Sequence, residues 1–154
     1  MRISTKGHYA VQALVDIAAR PEKKPVSLAV VADGQGLSQN YLEQLFVKLR
    51  KAGLVKSVRG PGGGYLIARS PSSITIGEVF AAVDESLILT DCGDEGPTGC
   101  GGGENDQTRK LWQKLCHHFN ELLYSITIDH VVKGDVKLPR IGGPLPGAAV
   151  IRIA

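Results

Sequence analysis

The sequence predicts a mainly α-helical chain with a small β-wing, that is, a winged helix-turn-helix domain followed by a long dimerisation helix. Apolar side chains recur at helical spacing in residues 7–19, 39–52 and 108–126, which indicates three amphipathic helices. Two short apolar segments, 54–58 and 65–68, flank the glycine-rich stretch 59–64, and this pattern is typical of a β-hairpin. These observations give the fold class.

The first three helices are predicted to follow each other closely. The first covers residues 7–19 and ends before Pro21. A short second helix over residues 28–32 can be capped by Ser27, and the glycines of residues 34–36 then predict a tight turn. Because a short helix, a glycine turn and a longer helix follow in this order, the segment predicts a helix-turn-helix.

The third helix has a clear apolar stripe. Its stripe consists of Leu42, Leu45, Phe46 and Leu49, at i, i+3, i+4 and i+7. We expect the Ser38 side chain to accept a hydrogen bond from a first-turn N–H, and Gly53 to end the helix. Polar and basic side chains are left on the remaining faces.

Charge is distributed unevenly along the 154 residues. Residues 1–70 contain 11 Lys and Arg against 4 Asp and Glu, whereas residues 71–154 contain 7 against 11. A basic half suggests a polyanionic partner. No apolar run approaches the roughly 20 residues of a membrane span, and the N-terminus lacks the apolar stretch of a signal peptide, so we expect a cytoplasmic protein with no membrane partner.

The third helix and the hairpin together predict an interface with double-stranded DNA. Only a helix or a two-stranded ribbon fits the major groove, where amide and carboxylate side chains read base edges. Lysines and arginines are suited to phosphates, and a narrow glycine-rich tip suits insertion of an arginine into the minor groove. The predicted DNA-binding residues are Ser38, Gln39, Asn40, Tyr41, Glu43, Gln44, Lys48, Arg50, Lys51, Lys56, Arg59, Gly60 and Gly62.

The rest of the chain predicts a controlling region. Thr75 and Glu78 fit a capping box, and residues 84–106 contain seven acids, many glycines and no Lys or Arg. The longest helix has more apolar face than so small a domain can bury, which predicts a homodimer. Its predicted interface residues are Trp112, Leu115, Phe119, Leu122 and Ile126. We therefore divide the chain into a winged helix-turn-helix region (1–83), a sensor loop (84–107), a dimerisation helix with a last short helix (108–133), and a tail of unknown role (134–154).

The sequence resembles the Rrf2 family of winged-helix transcription regulators, and in particular its iron–sulfur-sensing members. The resemblance rests on residues 4–11, 35–38, 41–46, 49–55, 57–66 and 76–79, and it covers about residues 1–130. It implies a homodimer paired through the long helix, which binds pseudo-palindromic promoter sites. It also implies control of iron–sulfur assembly genes through a [2Fe–2S] cluster held in the loop before that helix.

The resemblance assigns the cluster ligands only in part. The family pattern has three closely spaced cysteines followed by a histidine. Cys92 and Cys100 match the first two, while Asp106 stands in the third position and Arg109 in the histidine's. A carboxylate is a harder ligand than a thiolate, and arginine has no free lone pair. The implied metal ligands are Cys92, Cys100 and Asp106, with Glu104 as a further candidate.

Several readings of this loop stay open. The loop can hold a labile cluster, or the chain can be a cluster-free repressor of the same family that responds to thiol oxidation or to a partner. A third reading is that the ligands have been altered. A remote alternative is a small metal-dependent hydrolase that uses Cys92, Cys100 and His117, but no general base is placed beside them. We therefore expect a regulator rather than an enzyme.

Overall fold

The computed structural model describes residues 5–84 and 107–137. Its α-helices are α1 (Thr5–Ala19), α2 (Leu28–Gln35), α3 (Gln39–Lys51), α4 (Ile76–Ala82), α5 (Gln107–Ser125) and α6 (Ile128–Lys133). A single 3-10 turn, Pro71–Ser73, precedes α4, and the strands β1 (Val55–Val58) and β2 (Gly64–Ile67) form an antiparallel hairpin. The predicted mainly helical class with a small two-stranded sheet is confirmed. The predicted metal ligands Cys92, Cys100 and Asp106 lie outside the described residues.

Helix α2 is longer than the sequence pattern predicted. The Ser27 hydroxyl accepts a hydrogen bond from the Val30 N–H at 3.4 Å, as expected of an N-cap. The helix ends at Gln35 because Gly36, at φ 64°, is the residue that takes the left-handed conformation. Gly34 remains helical, so the turn into α3 is only three residues long.

Helix α3 corrects one prediction and agrees with another. Ser38 occupies the N-cap position with extended backbone, but its side chain makes no capping hydrogen bond. The expected side-chain cap is therefore wrong, because the exposed hydroxyl makes no hydrogen bond to a first-turn N–H, which solvent can satisfy in its place. At the other end Gly53 has φ 72°, and the N–H groups of Gly53 and Leu54 donate to the carbonyls of Arg50 and Leu49, each at 3.0 Å. This is a Schellman motif, in which the left-handed position favours glycine.

The wing is anchored to the helical domain by backbone hydrogen bonds. Val55 pairs with Ile67, and Val58 pairs with Gly64 next to the tip. Val26 forms an isolated antiparallel bridge with Tyr65, in which the Val26 N–H donates to the Tyr65 carbonyl at 2.9 Å and the Val26 carbonyl accepts from the Tyr65 N–H at 2.8 Å. A Cβ on Gly64 would collide with the Val26 carbonyl, so this close approach requires glycine.

The core extends beyond the winged helix-turn-helix segment. Leu123 and Ile128 belong to the same buried cluster as Leu14, Phe46 and Val79. The chain leaving α5 returns to the segment before α4. There the Ile76 N–H donates to the Ile126 carbonyl at 2.8 Å, and the Ile128 N–H donates to the Ile74 carbonyl at 2.9 Å. Helix α6 then packs against α1, so the end of the long helix is fixed to the domain.

Helix α4 begins with the predicted capping box. The Thr75 hydroxyl accepts from the Glu78 N–H at 3.2 Å, and the Glu78 carboxylate accepts from the Thr75 N–H at 2.9 Å. A second capping box joins Thr127 to His130 at the start of α6. Within the described residues, no helix is both long enough and apolar enough to cross a membrane.

Candidate nucleic-acid interface

Helix α3 presents a polar surface opposite its buried stripe. At about 100° per residue, the side chains farthest from that stripe are those of Asn40, Gln44, Val47 and Lys51. All four are exposed. The amide groups of Asn40 and Gln44 offer both donors and acceptors, which is the chemistry that base edges in a major groove require. Val47 is 40% exposed and adds an apolar contact point that the sequence prediction did not include.

One flank of this surface carries a pair of polar side chains that bond to each other. The Gln39 amide nitrogen donates to the Glu43 carboxylate at 3.0 Å across one helical turn. Both side chains are exposed. Glu43 is therefore held by a hydrogen bond beside the exposed polar face of α3, where a carboxylate can accept from a base amino group.

Two of the predicted phosphate-binding side chains make contacts inside the chain. On one flank of α3, Arg50 donates to the Ser57 hydroxyl at 3.4 Å and so links α3 to β1. On the other flank, the Lys48 ammonium lies 2.7 Å from the Asp84 carboxylate. Lys51 on α3 and Lys56 on β1 are exposed. Lys51 and Lys56 are therefore the more accessible of the predicted phosphate contacts.

The pKa of the Asp84 carboxyl reflects this ion pair. The hydrogen bond from Lys48 lowers the pKa of the Asp84 carboxyl, and the charges of Lys48 and, more weakly, Lys6 lower it further. Desolvation opposes these effects. The sequence prediction placed Asp84 only among the acids of the following loop, because nothing in the linear order connects residue 84 with residue 48.

Tyr41 packs against the scaffold. Its ring meets that of Tyr9 edge-on, with centroids 6.1 Å apart and planes at 90°, and both rings lie against the core. Tyr41 was predicted as a DNA contact, and the structure packs its ring against the scaffold. Because Tyr41 is only half-buried, this packing of the ring does not by itself bury the hydroxyl group.

The wing tip is a tight turn. Gly60 and Gly62 have φ values of 103° and 73°, and the Gly63 N–H donates to the Gly60 carbonyl at 2.8 Å. A Cβ on Gly63 would lie 2.8 Å from that same carbonyl oxygen. The tip is therefore narrow, and Arg59 is exposed on it. The closed hairpin shows that Gly63 and Gly64 are the tip glycines that approach other backbone atoms closely.

Helix α5 divides the predicted dimer stripe into two parts. Trp112 and Leu115 are 42% and 41% exposed, and the neighbouring Leu111 is 51% exposed. Phe119 and Ile126 pack instead against the core of their own chain, and Leu122 is half-buried. The structure thus leaves an apolar patch of Leu111, Trp112 and Leu115 at the N-terminal half of α5.

The described residues contain no cluster of three or more His, Cys, Asp or Glu that could hold a metal ion. Cys116 is a free, half-buried thiol. His117 and His118 each contact the Glu121 carboxylate, at 3.3 Å and 3.0 Å, and both rings are largely exposed. His117 is thus engaged with Glu121 on the surface of α5.

Comparison with known proteins agrees with this architecture. Residues 3–134 match the family described as Rrf2, iron-dependent transcriptional regulator. The chain is 50% identical over 135 residues to the HTH-type transcriptional regulator IscR of Klebsiella pneumoniae (strain 342). The match covers 88% of this chain and 82% of that protein.

Two solved structures show the same fold. IscR of T. potens has a TM-score of 0.71 at 42% identity, covering 87% of this chain and 88% of its own. CymR, the global cysteine regulator of B. subtilis, has a TM-score of 0.71 at 31% identity, covering 87% and 98%. The chain therefore belongs to the Rrf2 family of transcriptional regulators.

Proposed function

We propose that this protein regulates transcription by binding double-stranded promoter DNA as a homodimer, and that its DNA binding depends on iron–sulfur or thiol status. The observation that carries the proposal is the combined surface of α3 and the wing. It places exposed Asn40, Gln44 and Lys51 on one helix face and exposed Arg59 on the narrow hairpin that follows.

The geometry of this surface suits duplex DNA. Helix α3 has 13 residues, or about 20 Å, and its amide and carboxylate side chains lie in the N-terminal half, where a helix enters the major groove. The hairpin follows within four residues of the helix end and is tied to α3 by the Arg50–Ser57 hydrogen bond. Helix α3 and the wing are therefore linked, and we expect Arg59 at the wing tip to contact the adjacent minor groove.

The exposed part of α5 supports the homodimer. Leu111, Trp112 and Leu115 form a contiguous apolar patch on a helix whose C-terminal end is fixed in the core. A second copy would bury this patch and place two α3 helices in a two-fold arrangement. Such a dimer would read two half-sites of a pseudo-palindrome.

The proposed sensing site draws on residues outside the described part of the chain. Iron–sulfur clusters are normally held by four thiolates, with histidine as the known replacement. Cys92 and Cys100 supply two thiolates and Asp106 a carboxylate, so this donor set departs from that norm. Cys116 lies within α5, nine residues or about 13 Å along the helix from Gln107, and so does not extend the set of residues in the loop. The fit is therefore incomplete, and we assign the cluster no step in DNA binding.

The incomplete donor set favours a second candidate, a cluster-free regulator that responds to thiol oxidation or to a partner. Cys92 and Cys100 lie eight positions apart, and two thiols are enough for a reversible thiol–disulfide response, which needs no iron. The structural neighbour CymR is itself named as a cysteine regulator. Both candidates use Cys92 and Cys100, and they differ in whether iron and sulfide are bound.

Anaerobic purification separates the two candidates. We expect the cluster form to show visible absorption, with iron and acid-labile sulfide in equal amounts. Cys92→Ser and Cys100→Ser should each abolish both, whereas Cys116→Ser, the same change on α5, should leave them intact. A colourless, iron-free dimer that still binds DNA would reject the cluster and favour the thiol response.

The DNA claim has its own test. We would select duplexes from a random-sequence library with the full-length protein and measure binding by fluorescence anisotropy over a range of salt. Glu43→Ala and Gln44→Ala should change the selected sequence more than the salt dependence. If both variants select the wild-type sequence with wild-type affinity, the assignment of α3 to the groove is wrong.

A further inference from the structure

Asp84 forms an ion pair with Lys48, one of the predicted phosphate contacts. Its carboxylate oxygen Oδ2 lies 2.7 Å from the Lys48 Nζ, and 36 residues separate the two in sequence. Lys48 lies on the flank of α3 that faces the end of α4, beside Tyr41. A lysine on such a flank, with a four-carbon stem, can reach either this carboxylate or a phosphate on DNA that occupies the α3 face.

The backbone of Asp84 is held at the end of α4. Val83, immediately before it, is fully buried in the core, and the Asp84 N–H donates to the Ala81 carbonyl at 3.3 Å. Asp84 itself has φ 55°, a left-handed conformation that Asp and Asn tolerate better than most residues. The acid is therefore fixed at the end of α4, although its side chain is 77% exposed.

The ion pair is accessible to exchange. Lys48 is 38% exposed and Asp84 is 77% exposed, so water reaches both partners. Exposed pairs of this kind contribute little to stability. A DNA phosphate presents the same anionic chemistry as the carboxylate, and it brings counterion release in addition. The two anions are thus direct alternatives for one ammonium group.

We propose that Asp84 competes with a DNA phosphate for the Lys48 ammonium, and so weakens the binding of this protein to DNA. The proposal rests on the proposed DNA-binding function and names a residue that sets its strength. Asp84 also directly precedes residues 85–106, which include Cys92 and Cys100. The competing acid thus lies where the predicted sensor region joins the domain that carries α3.

The test uses Asp84→Asn, which keeps the size and the tolerated backbone conformation but removes the charge. Binding of the full-length protein to its library-selected duplex is measured by anisotropy between about 50 and 200 mM salt. Asp135→Asn is the matched control, because it removes one charge from an exposed ion pair with Lys137 after α6. Thermal unfolding followed by circular dichroism checks that each variant is folded.

We expect Asp84→Asn to bind about two- to fivefold more tightly than the Asp135→Asn control. The slope of log affinity against log salt should steepen by up to about 0.9, the value for one additional phosphate contact. In a Lys48→Gln background the same Asp84→Asn change should have no effect beyond that of the control. Non-additivity of the two substitutions is the signature of direct competition.

Other results overturn the inference. If wild type binds its selected duplex but Asp84→Asn binds with unchanged or lower affinity, Asp84 does not compete. A gain that persists in the Lys48→Gln background would assign the effect to general charge. If wild type enriches no duplex at all, the proposed DNA-binding function fails, which is a different outcome from either of these.

Discussion

Glu78→Gln tests the hydrogen-bond network that fixes α4, the helix that positions Asp84. Glu78 Oε2 accepts from the Thr75 N–H at 2.9 Å and from the Thr75 hydroxyl at 3.2 Å, while Oε1 accepts from Arg69 at 2.7 Å. These contacts lower the pKa of the Glu78 carboxyl, with the Arg69 hydrogen bond as the largest cause. Glutamine keeps the shape and one acceptor but loses the charge.

The expected loss is about 1 kcal/mol in the free energy of unfolding at pH 7. A carboxylate in the first turn of a helix contributes about 0.3–1 kcal/mol, and a partly exposed ion pair about 0.2–1 kcal/mol after screening. For a chain of 154 residues, 1 kcal/mol corresponds to a decrease in Tm of about 2–4 °C. Differential scanning calorimetry measures both quantities.

The sign of the pH dependence follows from the direction of the shift. Because folding lowers the Glu78 pKa, the charged form stabilises the native state above the unfolded pKa of about 4.3. This contribution is lost as the pH falls through the folded-state pKa. The Tm difference between wild type and Glu78→Gln should therefore be full at pH 7 and should shrink as the pH falls through the lowered folded-state pKa.

Glu22→Gln is the control, since Glu22 forms an exposed ion pair with Lys24 at 2.7 Å outside any helix terminus. It should change stability by less than about 0.5 kcal/mol. If Glu78→Gln lowers Tm by the same amount at pH 3 as at pH 7, the carboxylate charge is not the source of the stabilisation. A Tm equal to wild type at pH 7 would reject the network altogether.

Three further substitutions test the proposed DNA-binding surface, the dimer interface and the core. Arg59→Ala should weaken binding to the selected duplex about tenfold or more, because it removes a charged contact at the wing tip, and anisotropy measures this. Trp112→Glu should raise the dimer dissociation constant about tenfold or more in analytical ultracentrifugation, whereas Gln113→Glu, which adds the same charge on another face of α5, should not. Phe46→Ala should lower the free energy of unfolding in urea by about 3–5 kcal/mol. Phe46 is fully buried, and its ring packs edge-on against that of Tyr65 with centroids 4.8 Å apart. A loss below about 1 kcal/mol would place Phe46 outside the core.

Local signals in the sequence determined much of this fold. The i, i+3, i+4, i+7 stripe of α3, the glycine at its C-terminus and the Thr75–Glu78 capping box each depend on residues within a few positions of each other. Such interactions are encoded by spacing alone, so they could be predicted from the chain. The exposed polar face of α3, with Asn40 and Gln44, could be predicted from the same helical periodicity.

Only the tertiary structure decided which of these elements meet. Ser38 was expected to cap α3, but the rotation of an exposed hydroxyl is not encoded by its position. The pairing of Val26 with Tyr65, the return of residues 126–128 to residues 74–76, and the Lys48–Asp84 ion pair all join segments far apart in sequence. Spacing carries no information about these contacts, because they form only once the shared core brings distant helices and strands together. The sequence by itself thus determined the reading helix and the wing, and the tertiary structure decided that an acid at the end of α4 lies against that helix.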